Sequence, residues 1–442
     1  MHDRISRDDS HWGEYLSARL AIIGTGYVGL TTGVCFAHLG NRVVCHDVDR
    51  NKIDELLRGN CPIHEFGLES MLTEGIGTGL LSFSVDVAET VYDSEVIILC
   101  VPTPQGEDGS ADLSFIEAAA REIAPHLPYE AIVVNKSTVP VGSTKVVERA
   151  LGRPDVKVVS NPEFLREGSA VQDFLKPDRV VVGADDQAAA MKVASLYESL
   201  TTRVIITDPA SAETIKYAAN AFLATKLSFV NAIAAICEGV GADIDDVVVG
   251  MGSDKRIGEA FLRPGPGWGG SCFPKDSRAL IKIAEQAGYD FDLLKGVISV
   301  NDQQFDRMTD KVRDTVGGDL AGKNVAVWGL TFKAGTDDLR DSPAIAVIRR
   351  LLAAGANVVA FDPTVDSPKP GLPDELTVSI SPIEATKDAD VLVILTEWDE
   401  LKWIDPSTIS LTMRGRAVVD TRNLLDRNSW QKSGFDLRGV GR

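Results

Sequence analysis

Cysteine, histidine and long apolar runs are scarce in this sequence, and each shortage excludes a class of protein. The six cysteines and six histidines among the 442 residues form neither a CxxC nor an HxxxH pair, so we expect no metal site and no disulfide framework. No uninterrupted apolar run approaches the ~20 residues that span a bilayer. Residues 1–18 are polar, unlike a secretory signal, and we expect a flexible extension there. The sequence therefore predicts a cytoplasmic protein without a membrane partner.

Positive charge is also in deficit, because 45 lysine and arginine residues stand against 64 aspartate and glutamate residues. The net charge of −19 predicts repulsion from nucleic acid, which is therefore not an expected partner. The hydrophobic share of 44% is ordinary for a globular enzyme. The length allows about three domains.

The amino-terminal part of the chain carries a dinucleotide-binding pattern. Residues 20–23 predict a buried strand, the sequence GTGYVG follows at 24–29, and helical periodicity leads to a second strand that ends at Asp47. Glycines between a strand and a helix let a pyrophosphate approach the helix N-terminus. Asp47 would bind the ribose hydroxyls and repel a 2′-phosphate, so we expect NAD rather than NADP.

Further strands are predicted at 95–101, 131–135, 156–160, 179–182 and 204–206. Polar loops follow three of them, at the sheet edge where open α/β sheets bind ligands. Thr103 and Thr138 lie in these loops, although both would also suit helix caps. The segment 161–168, NPEFLREG, predicts a short helical turn that places Glu163 and Glu167 on one face. Two like charges so placed mildly destabilise a helix, so their presence indicates a functional role. The alternative is that both are solvated surface acids.

The segment from Pro209 to Glu238 predicts a long and unusually apolar helix, which we expect to connect domains and to form a dimer. Lys216 and Asn220 lie one turn apart on it. Burying both would be costly without partners, and an alkoxide or oxyanion would supply them. The alternative for Lys216 is an amine that reaches solvent.

A glycine-rich loop, GPGWGGSCFPKD at 265–276, surrounds Cys272. Pro274 suits the first turn of a helix, so Cys272 lies just before a helix N-terminus with Lys275 nearby, and both features favour a thiolate. Asp276 could orient a water or take a proton. The alternative is a buried cysteine that acts as a small hydrophobe.

A second α/β unit begins near Lys323, but its first strand is followed by LTFK rather than by a glycine fingerprint. Lys333, Arg340 and Arg422 lie near strand ends and suit a different anion, a sugar-nucleotide diphosphate, unless they are scattered surface cations. We therefore expect an NAD-binding Rossmann domain at 19–208, a helical central domain at 209–318 and a second Rossmann-like domain at 319–442.

Together these parts suit a four-electron oxidation of an alcohol to a carboxylate. A thiolate can hold the first aldehyde as a thiohemiacetal, which a second oxidation turns into a thioester, and a carboxylate-activated water can release the acid. The motifs resemble those of the UDP-glucose/GDP-mannose dehydrogenase family over nearly the whole chain after residue 18. Those motifs are GTGYVG, VPTP, KSTVPVG, NPEFLREG, KYAANAFLATKLSF, RIG, GPGWGGSCFPKD, GLTFKAGTDDLRDSPA and VVDTRN.

The resemblance implies two Rossmann-like domains joined by a long dimerising helix, a homodimer or higher homo-oligomer, and a role for each matching residue. Its catalytic positions are Cys272 as nucleophile, Glu167 as base for thioester hydrolysis, Thr138 and Glu163 acting through water, Asp276 in proton removal, and Lys216 and Asn220 on the charged oxygen. Its cofactor positions are Gly24, Gly26, Tyr27, Val28, Gly29, Asp47, Lys52, Thr103, Thr138, Glu167, Lys275 and Arg340. Its nucleotide-sugar positions are Glu163, Phe164, Leu165, Lys216, Asn220, Arg256, Phe261, Gly269, Phe332, Lys333 and Arg422, with Arg256 reaching a neighbouring subunit.

The match implies that UDP-glucose is oxidised to UDP-glucuronate, with GDP-mannose or a UDP-N-acetylhexosamine as the alternative substrates. A single-step β-hydroxyacid dehydrogenase also pairs a Rossmann domain with a Lys-xxx-Asn helix, but it needs no cysteine loop. A non-catalytic NAD-binding regulator would not need the catalytic residues.

Overall fold

The computed structural model describes residues 17–106 and 111–442. The chain forms two compact units, one up to Lys216 and one from Tyr217. Nearly all of the extension predicted at 1–18 lies outside the described residues. The division into three domains stays a prediction.

The first unit alternates strands and helices, as the βα patterns predict. Its strands are β1 (Arg19–Ile23), β2 (Arg42–His46), β3 (Leu81–Ser84), β4 (Val96–Leu99), β5 (Ile132–Asn135), β6 (Lys157–Ser160), β7 (Arg179–Gly183) and β8 (Arg203–Thr207). Its helices are α1 (Tyr27–His38), α2 (Arg50–Leu57), α3 (Leu68–Gly77), α4 (Val87–Val91), α5 (Ser114–Ile123), α6 (Ser143–Leu151), α7 (Ala170–Leu175), α8 (Gln187–Ser195) and the start of α9 (Pro209–Val240).

The eight strands form one sheet in the order β3-β2-β1-β4-β5-β6-β7-β8. Neighbours from β3 to β6 are parallel, β7 and β8 are parallel to each other, and β6 meets β7 in antiparallel orientation. The strand order reverses between β1 and β4. Ligands of open α/β sheets bind outside the carboxyl ends of the strands at such a reversal.

Helices cover both faces of this sheet, which explains why its strands read as continuous apolar runs. In β4, Val96 and Ile98 pack into one buried cluster, whereas Ile97 and Leu99 pack into another. Because successive side chains of a strand point to opposite faces, these two clusters are the cores on the two sides of the sheet.

The second unit contains helices followed by a smaller sheet. Its helices are the rest of α9, α10 (Ile244–Gly252), α11 (Phe273–Gln286), α12 (Asp292–Thr315), α13 (Pro343–Ala353), α14 (Pro382–Ala385), α15 (Pro406–Thr412) and α16 (Arg427–Lys432). Its strands are β9 (Asn324–Trp328), β10 (Asn357–Phe361), β11 (Thr377–Ser379), β12 (Val391–Ile394), β13 (Ala417–Asp420) and β14 (Asp436–Arg438). The order β11-β10-β9-β12-β13-β14 is parallel throughout and has the same reversal beside its first strand. The prediction of two Rossmann-like sheets joined by a long helix is confirmed.

Helix α9 is the longest helix among the described residues, at 32 residues. Its most apolar 18-residue window has a mean hydropathy of 1.4 and would suit a membrane span by length and composition alone. However, 44% of that window is buried within the protein, and core helices of soluble proteins have the same character. Phe222, Phe229 and Ile236 are exposed at seven-residue spacing and form one apolar stripe.

Candidate active site

The glycines of the first turn have distinct steric roles. Gly24 has a φ of +99°, and a Cβ there would lie 2.7 Å from the carbonyl oxygen of Cys100. A Cβ on Gly29 would lie 1.9 Å from the carbonyl oxygen of Gly24, so only a glycine lets the backbone pack this closely here. A Cβ on Gly26 would meet nothing within 4 Å. The turn thus leaves open space before the N-terminus of α1, where Tyr27 and Val28 begin the helix, and it fits a dinucleotide pyrophosphate.

Asp47 lies just after β2, beside this turn. Its carboxylate accepts hydrogen bonds from the Thr25 amide at 2.9 Å and the Thr25 hydroxyl at 2.7 Å, and Lys52 donates to it at 3.1 Å. Burial alone would raise the pKa of Asp47, but these bonds and one from the Asp49 amide outweigh burial and hold the pKa at about 2. Asp47 is therefore a fixed negative charge, as binding to an unphosphorylated ribose requires.

Thr103 and Thr138 follow the neighbouring strands β4 and β5, at the same sheet edge. Thr138 is buried and Thr103 is partly exposed. The structure therefore brings the glycine turn, Asp47, Thr103 and Thr138 to the carboxyl ends of β1, β2, β4 and β5, whereas Glu167 lies on the loop after β6. Their individual roles stay predictions.

Glu163 and Lys216 form a buried ion pair. The two side chains are 5% and 4% exposed, and the Lys216 amine lies 2.9 Å from the Glu163 carboxylate. Burial would raise the pKa of Glu163, but the charge and hydrogen bond of Lys216 and the Leu165 amide at 2.6 Å lower it below its usual value. Glu163 is therefore ionised, and the alternative in which the Lys216 amine reaches solvent is excluded.

The predicted helical turn at 161–168 is wrong, because residues 161–166 are irregular, only a single turn follows at 167–168, and helix α7 begins at Ala170. The Asn161 side chain does not cap a helix. It accepts a hydrogen bond from Lys136 at 3.1 Å and donates to the carbonyl of Val181 at 2.8 Å. Glu163 and Glu167 therefore do not share a helical face, although both lie on this loop.

Phe164, on the same loop, lies close to two cations from other elements. The Arg179 guanidinium lies 3.5 Å from the centre of its ring, and the Lys216 amine lies 5.4 Å from it. Both separations are within the range of cation–π attraction. Phe164 is partly exposed, as are Leu165 and Glu167. The predicted sugar-contacting residues of the first unit thus lie around the buried Glu163 pair.

In the second unit, Cys272 occupies the N-cap position of α11, immediately before Phe273 and Pro274. It is partly exposed, and its sulfur lies 3.6 Å from the hydroxyl of Ser271. The prediction that the cysteine lies at a helix N-terminus is confirmed, and a thiolate is favoured at such a position.

Asp276 lies one turn further along α11 and is 1% exposed. One carboxylate oxygen accepts a hydrogen bond from the Asn220 amide at 2.6 Å, and the other accepts one from Lys275 at 2.6 Å. A buried carboxylate with donors on both oxygens is held in one orientation. The residues Asn220, Cys272, Lys275 and Asp276 are thus brought together, as the sequence predicts.

Buried amides, which the sequence analysis missed, hold the backbone of the cysteine loop. Asn301 accepts from the Trp268 amide at 2.8 Å and donates to its carbonyl at 2.9 Å. Gln304 donates to the Gly265 carbonyl at 2.7 Å, and Asn231 accepts from the Gly265 amide at 2.8 Å. Helices α9 and α12 therefore both hold the backbone of the loop, at Gly265 and at Trp268. Polar residues at helical spacing on otherwise apolar faces are the signal that would have found them.

The cysteine loop packs against the loops that follow the strands of the smaller sheet. A Cβ on Gly269 would lie 1.9 Å from the carbonyl oxygen of Asp341, and one on Gly270 would lie 2.8 Å from the ring of Phe332. Arg422 donates to the carbonyls of Leu395 at 2.8 Å and of Phe332 at 3.2 Å. The predicted nucleotide-sugar positions Gly269, Phe332 and Arg422 thus lie together with the cysteine loop.

The other predicted positions of this unit vary in their surroundings. The Lys333 amine lies 5.6 Å from the centre of the Phe332 ring. Phe261 has a φ of +61°, which is rare for a non-glycine residue and typical of functional loops. Arg256 and Arg340 are exposed and pair with Asp254 at 2.6 Å and with Asp338 at 2.7 Å, respectively.

The second sheet has its own acid after β10, but its environment differs from that of Asp47. Asp362 is 2% exposed and accepts hydrogen bonds from the amides of Leu330 at 2.7 Å and Thr331 at 3.1 Å, and from the Trp398 indole at 3.1 Å. An acid enclosed by its own protein has little capacity left for a ribose. The two sheets therefore differ both in the sequence of the turn after the first strand and in the surroundings of the acid after the second strand.

Comparison with known proteins places the whole chain in one group. Models of the UDP-glucose/GDP-mannose dehydrogenase family match residues 18–201 (NAD binding domain), 210–303 (central domain) and 326–427 (UDP binding domain). The UDP-glucose 6-dehydrogenases of Rhizobium meliloti and Pseudomonas aeruginosa are each 45% identical, over 96% of this chain and 99% and 97% of theirs. The UDP-glucose dehydrogenase structure from Pyrobaculum islandicum superposes with a TM-score of 0.86 at 38% identity, covering 94% of this chain and 98% of that one. A UDP-D-ManNAc dehydrogenase from Pyrococcus horikoshii gives 0.84 at 28% identity, covering 96% and 99%.

Proposed function

The chain belongs to the UDP-glucose/GDP-mannose dehydrogenase family, and we propose that it oxidises UDP-glucose to UDP-glucuronate with two molecules of NAD per turnover. The observation that carries this proposal is the arrangement on α11, where Cys272 caps the helix and Asp276 follows one turn later with donors on both oxygens. A dehydrogenase that stopped at the aldehyde would need neither a nucleophilic thiolate nor a loop built to present one.

The cofactor fits the first unit, because the turn at 24–29 leaves room at the N-terminus of α1 and Asp47 is held ionised beside it. Gly24, Gly26, Gly29 and Asp47 would hold NAD, which supplies the hydride acceptor for both oxidations. A 2′-phosphate would meet the charge of Asp47, which supports NAD over NADP.

The first oxidation removes a hydride from C6 of the glucose while Asp276, through a water, takes the hydroxyl proton. The Cys272 thiolate then adds to the aldehyde carbon, and a C–S bond forms. Lys216 and Asn220 stabilise the negative oxygen of this thiohemiacetal. Loss of a second hydride from the same carbon gives the thioester.

Hydrolysis of the thioester completes the turnover. Glu167 takes a proton from a water whose oxygen adds to the acyl carbon, with Thr138 and Glu163 assisting. The C–S bond then breaks, the thiolate returns to Cys272, and the carboxylate leaves as UDP-glucuronate. An ionised Glu163 paired with Lys216 supports this step, because an ionised carboxylate can accept a hydrogen bond from the attacking water.

UDP-glucose is proposed as the substrate because relatives that carry this activity in their names reach 45% identity, whereas the named UDP-D-ManNAc dehydrogenase reaches 28%. The test compares kcat/KM for UDP-glucose, GDP-mannose and UDP-N-acetylmannosamine at saturating NAD. We expect UDP-glucose to be preferred by at least tenfold. A preference for either of the others would reassign the substrate within the family.

A homodimer in the cytoplasm is part of the proposal. The exposed stripe of Phe222, Phe229 and Ile236 on α9 repeats every seven residues, and an apolar stripe of this kind suits a second copy of the same helix. We expect Phe229→Asp to give a monomer in analytical ultracentrifugation. The control is Leu411→Asp on α15, where a still more exposed apolar residue lies outside the stripe. A dimeric Phe229→Asp variant would contradict the assignment of this surface.

A further inference from the structure

Glu65, which no motif drew attention to, is a buried acid between two functional loops of the first unit. It precedes helix α3, and only 7% of its surface is exposed, whereas the next residue, Phe66, is 92% exposed. A buried carboxylate is costly unless several donors reach it. The donors of Glu65 come from two segments that lie far from it in the sequence.

The first segment is the end of the loop that carries Glu163 and Glu167. One oxygen of Glu65 accepts a hydrogen bond from the amide of Ala170 at 2.8 Å, and the other accepts one from the amide of Gly168 at 2.8 Å. Gly168 directly follows Glu167, so the carboxylate of Glu65 fixes the peptide group on which the proposed hydrolytic base is mounted.

The second segment is the dinucleotide turn. The hydroxyl of Tyr27, in the GTGYVG sequence, donates to the same oxygen of Glu65 that accepts from Gly168. That hydroxyl also accepts from the Gly168 amide at 3.0 Å and lies 3.3 Å from the carbonyl of Arg166. Tyr27, Glu65 and Gly168 thus form a closed triangle of hydrogen bonds.

A carboxylate that only capped helix α7 would be satisfied by the two amides and would not need the tyrosine. The additional bond to Tyr27 ties the turn that receives the pyrophosphate to the peptide that carries Glu167. Negative charge on Glu167 also acts on Tyr27, because it contributes, after burial and Glu65, to a raised pKa of the phenol. The peptide that carries Glu167 and the cofactor turn are therefore joined by hydrogen bonds through Glu65.

We propose that Glu65 is a positioning residue that holds Glu167 in place for thioester hydrolysis and links its position to the cofactor turn. This inference rests on the proposed function. A shift of about 1 Å in a catalytic group reduces its step by roughly a hundredfold, so the loss is expected in hydrolysis rather than in the two hydride transfers.

The test follows NADH formation by stopped flow in Glu65→Gln, with NAD and UDP-glucose saturating. The isosteric amide presents an NH2 group to a backbone N–H, so one of the two loop bonds is lost. We expect a rapid burst of two NADH per active site, followed by a steady rate that is roughly ten- to hundredfold below that of the wild type. We also expect the steady rate to keep rising between pH 7 and 9, because hydroxide replaces the displaced base.

Two further variants complete the test. Tyr27→Phe leaves both loop amides on Glu65, so the fold is kept, and we expect the same burst with a smaller loss in the steady rate, about three- to tenfold. Glu69→Gln changes an exposed glutamate on α3 and should behave as the wild type. A Glu65→Gln or Tyr27→Phe enzyme with a wild-type steady rate would overturn the inference. So would an equal fall in the burst rate and the steady rate, which is the signature of a structural role alone.

The wild-type trace separates this inference from the proposed function. One NADH per substrate in the wild type would overturn the proposed function itself. Two NADH in the wild type together with unaltered hydrolysis in either variant would overturn only the role of Glu65.

Discussion

Asn220 donates a 2.6 Å hydrogen bond to the carboxylate of Asp276, and this bond joins helix α9 to helix α11 within the second unit. Cys272 occupies the N-cap position of α11, and Asp276 lies on the first turn of that helix. The bond therefore fixes the end of the helix that carries the thiol. An amide that holds a buried carboxylate in one orientation also sets where that carboxylate can accept a proton.

Replacing Asp276 by Asn should reduce kcat at least a hundredfold, because the proposed proton acceptor for the first oxidation is lost while the side-chain volume is kept. The measurement is steady-state kinetics with UDP-glucose and NAD. Glu285→Gln, at an exposed position on the same helix, is the control. An Asp276→Asn enzyme with wild-type kcat would exclude the residue from proton transfer.

Replacing Cys272 by Ser should abolish UDP-glucuronate formation and leave NAD binding unchanged, since Cys272 is not among the predicted cofactor positions. Product is measured by chromatography and NAD affinity by calorimetry. Cys61→Ser, at the other partly exposed cysteine, should keep full activity. Steady turnover to the acid by the Cys272 variant would end its assignment as nucleophile.

Replacing Lys216 by Ala should destabilise the fold by about 3–5 kcal/mol, because it leaves the Glu163 carboxylate buried without its cation. The combined variant Lys216→Met with Glu163→Leu should recover much of that stability, since no charge then remains buried. Urea unfolding measures both. A loss below about 1 kcal/mol in Lys216→Ala would show that the pair is solvated in solution.

Asp47 should make its full contribution to stability above its unfolded pKa of about 3.9. Its folded pKa is lowered to about 2, so the contribution is complete above roughly pH 4 and disappears as the pH falls towards 2. Asp47→Asn should therefore reduce the change in the free energy of unfolding between pH 4 and 2. The same variant should raise the KM for NAD about tenfold and narrow the preference over NADP. An unchanged NADP preference would contradict the ribose assignment.

Replacing Asn301 by Ala should leave the amide and the carbonyl of Trp268 buried without partners, at a cost of about 1–3 kcal/mol for each group. The cysteine loop should then be less ordered, so kcat should fall more than binding of UDP-glucose weakens. Gln303→Ala, two residues further and exposed, is the control. Equal kcat values for the two variants would mean that the order of the cysteine loop does not depend on the hydrogen bonds of Asn301 to Trp268.

Periodicity and turn chemistry predicted most of the fold. Strands buried on both faces are continuous apolar runs, and GTGYVG between two of them left few alternatives for the first sheet. Short strands such as β3, β11 and β14 were not predicted, because three or four residues with one apolar face carry little pattern of their own.

The site was predicted where a residue stands in a motif and was missed where its role depends on distant neighbours. Cys272 and Asp47 follow from local sequence. Asn301 and Glu65 become recognisable only after folding brings them to the backbone of Trp268 and Gly168. The sequence predicts a short helical turn at 161–168 because Asn, Pro and Gly have the correct spacing, but the Asn161 side chain bonds to Lys136 and to the neighbouring strand instead.

The number of NADH molecules formed per UDP-glucose consumed, at saturating NAD and with a limiting amount of sugar, tests the central claim most directly. A mechanism in which Cys272 holds the aldehyde covalently predicts two NADH and one UDP-glucuronate for each UDP-glucose. One NADH with free aldehyde in solution would contradict it.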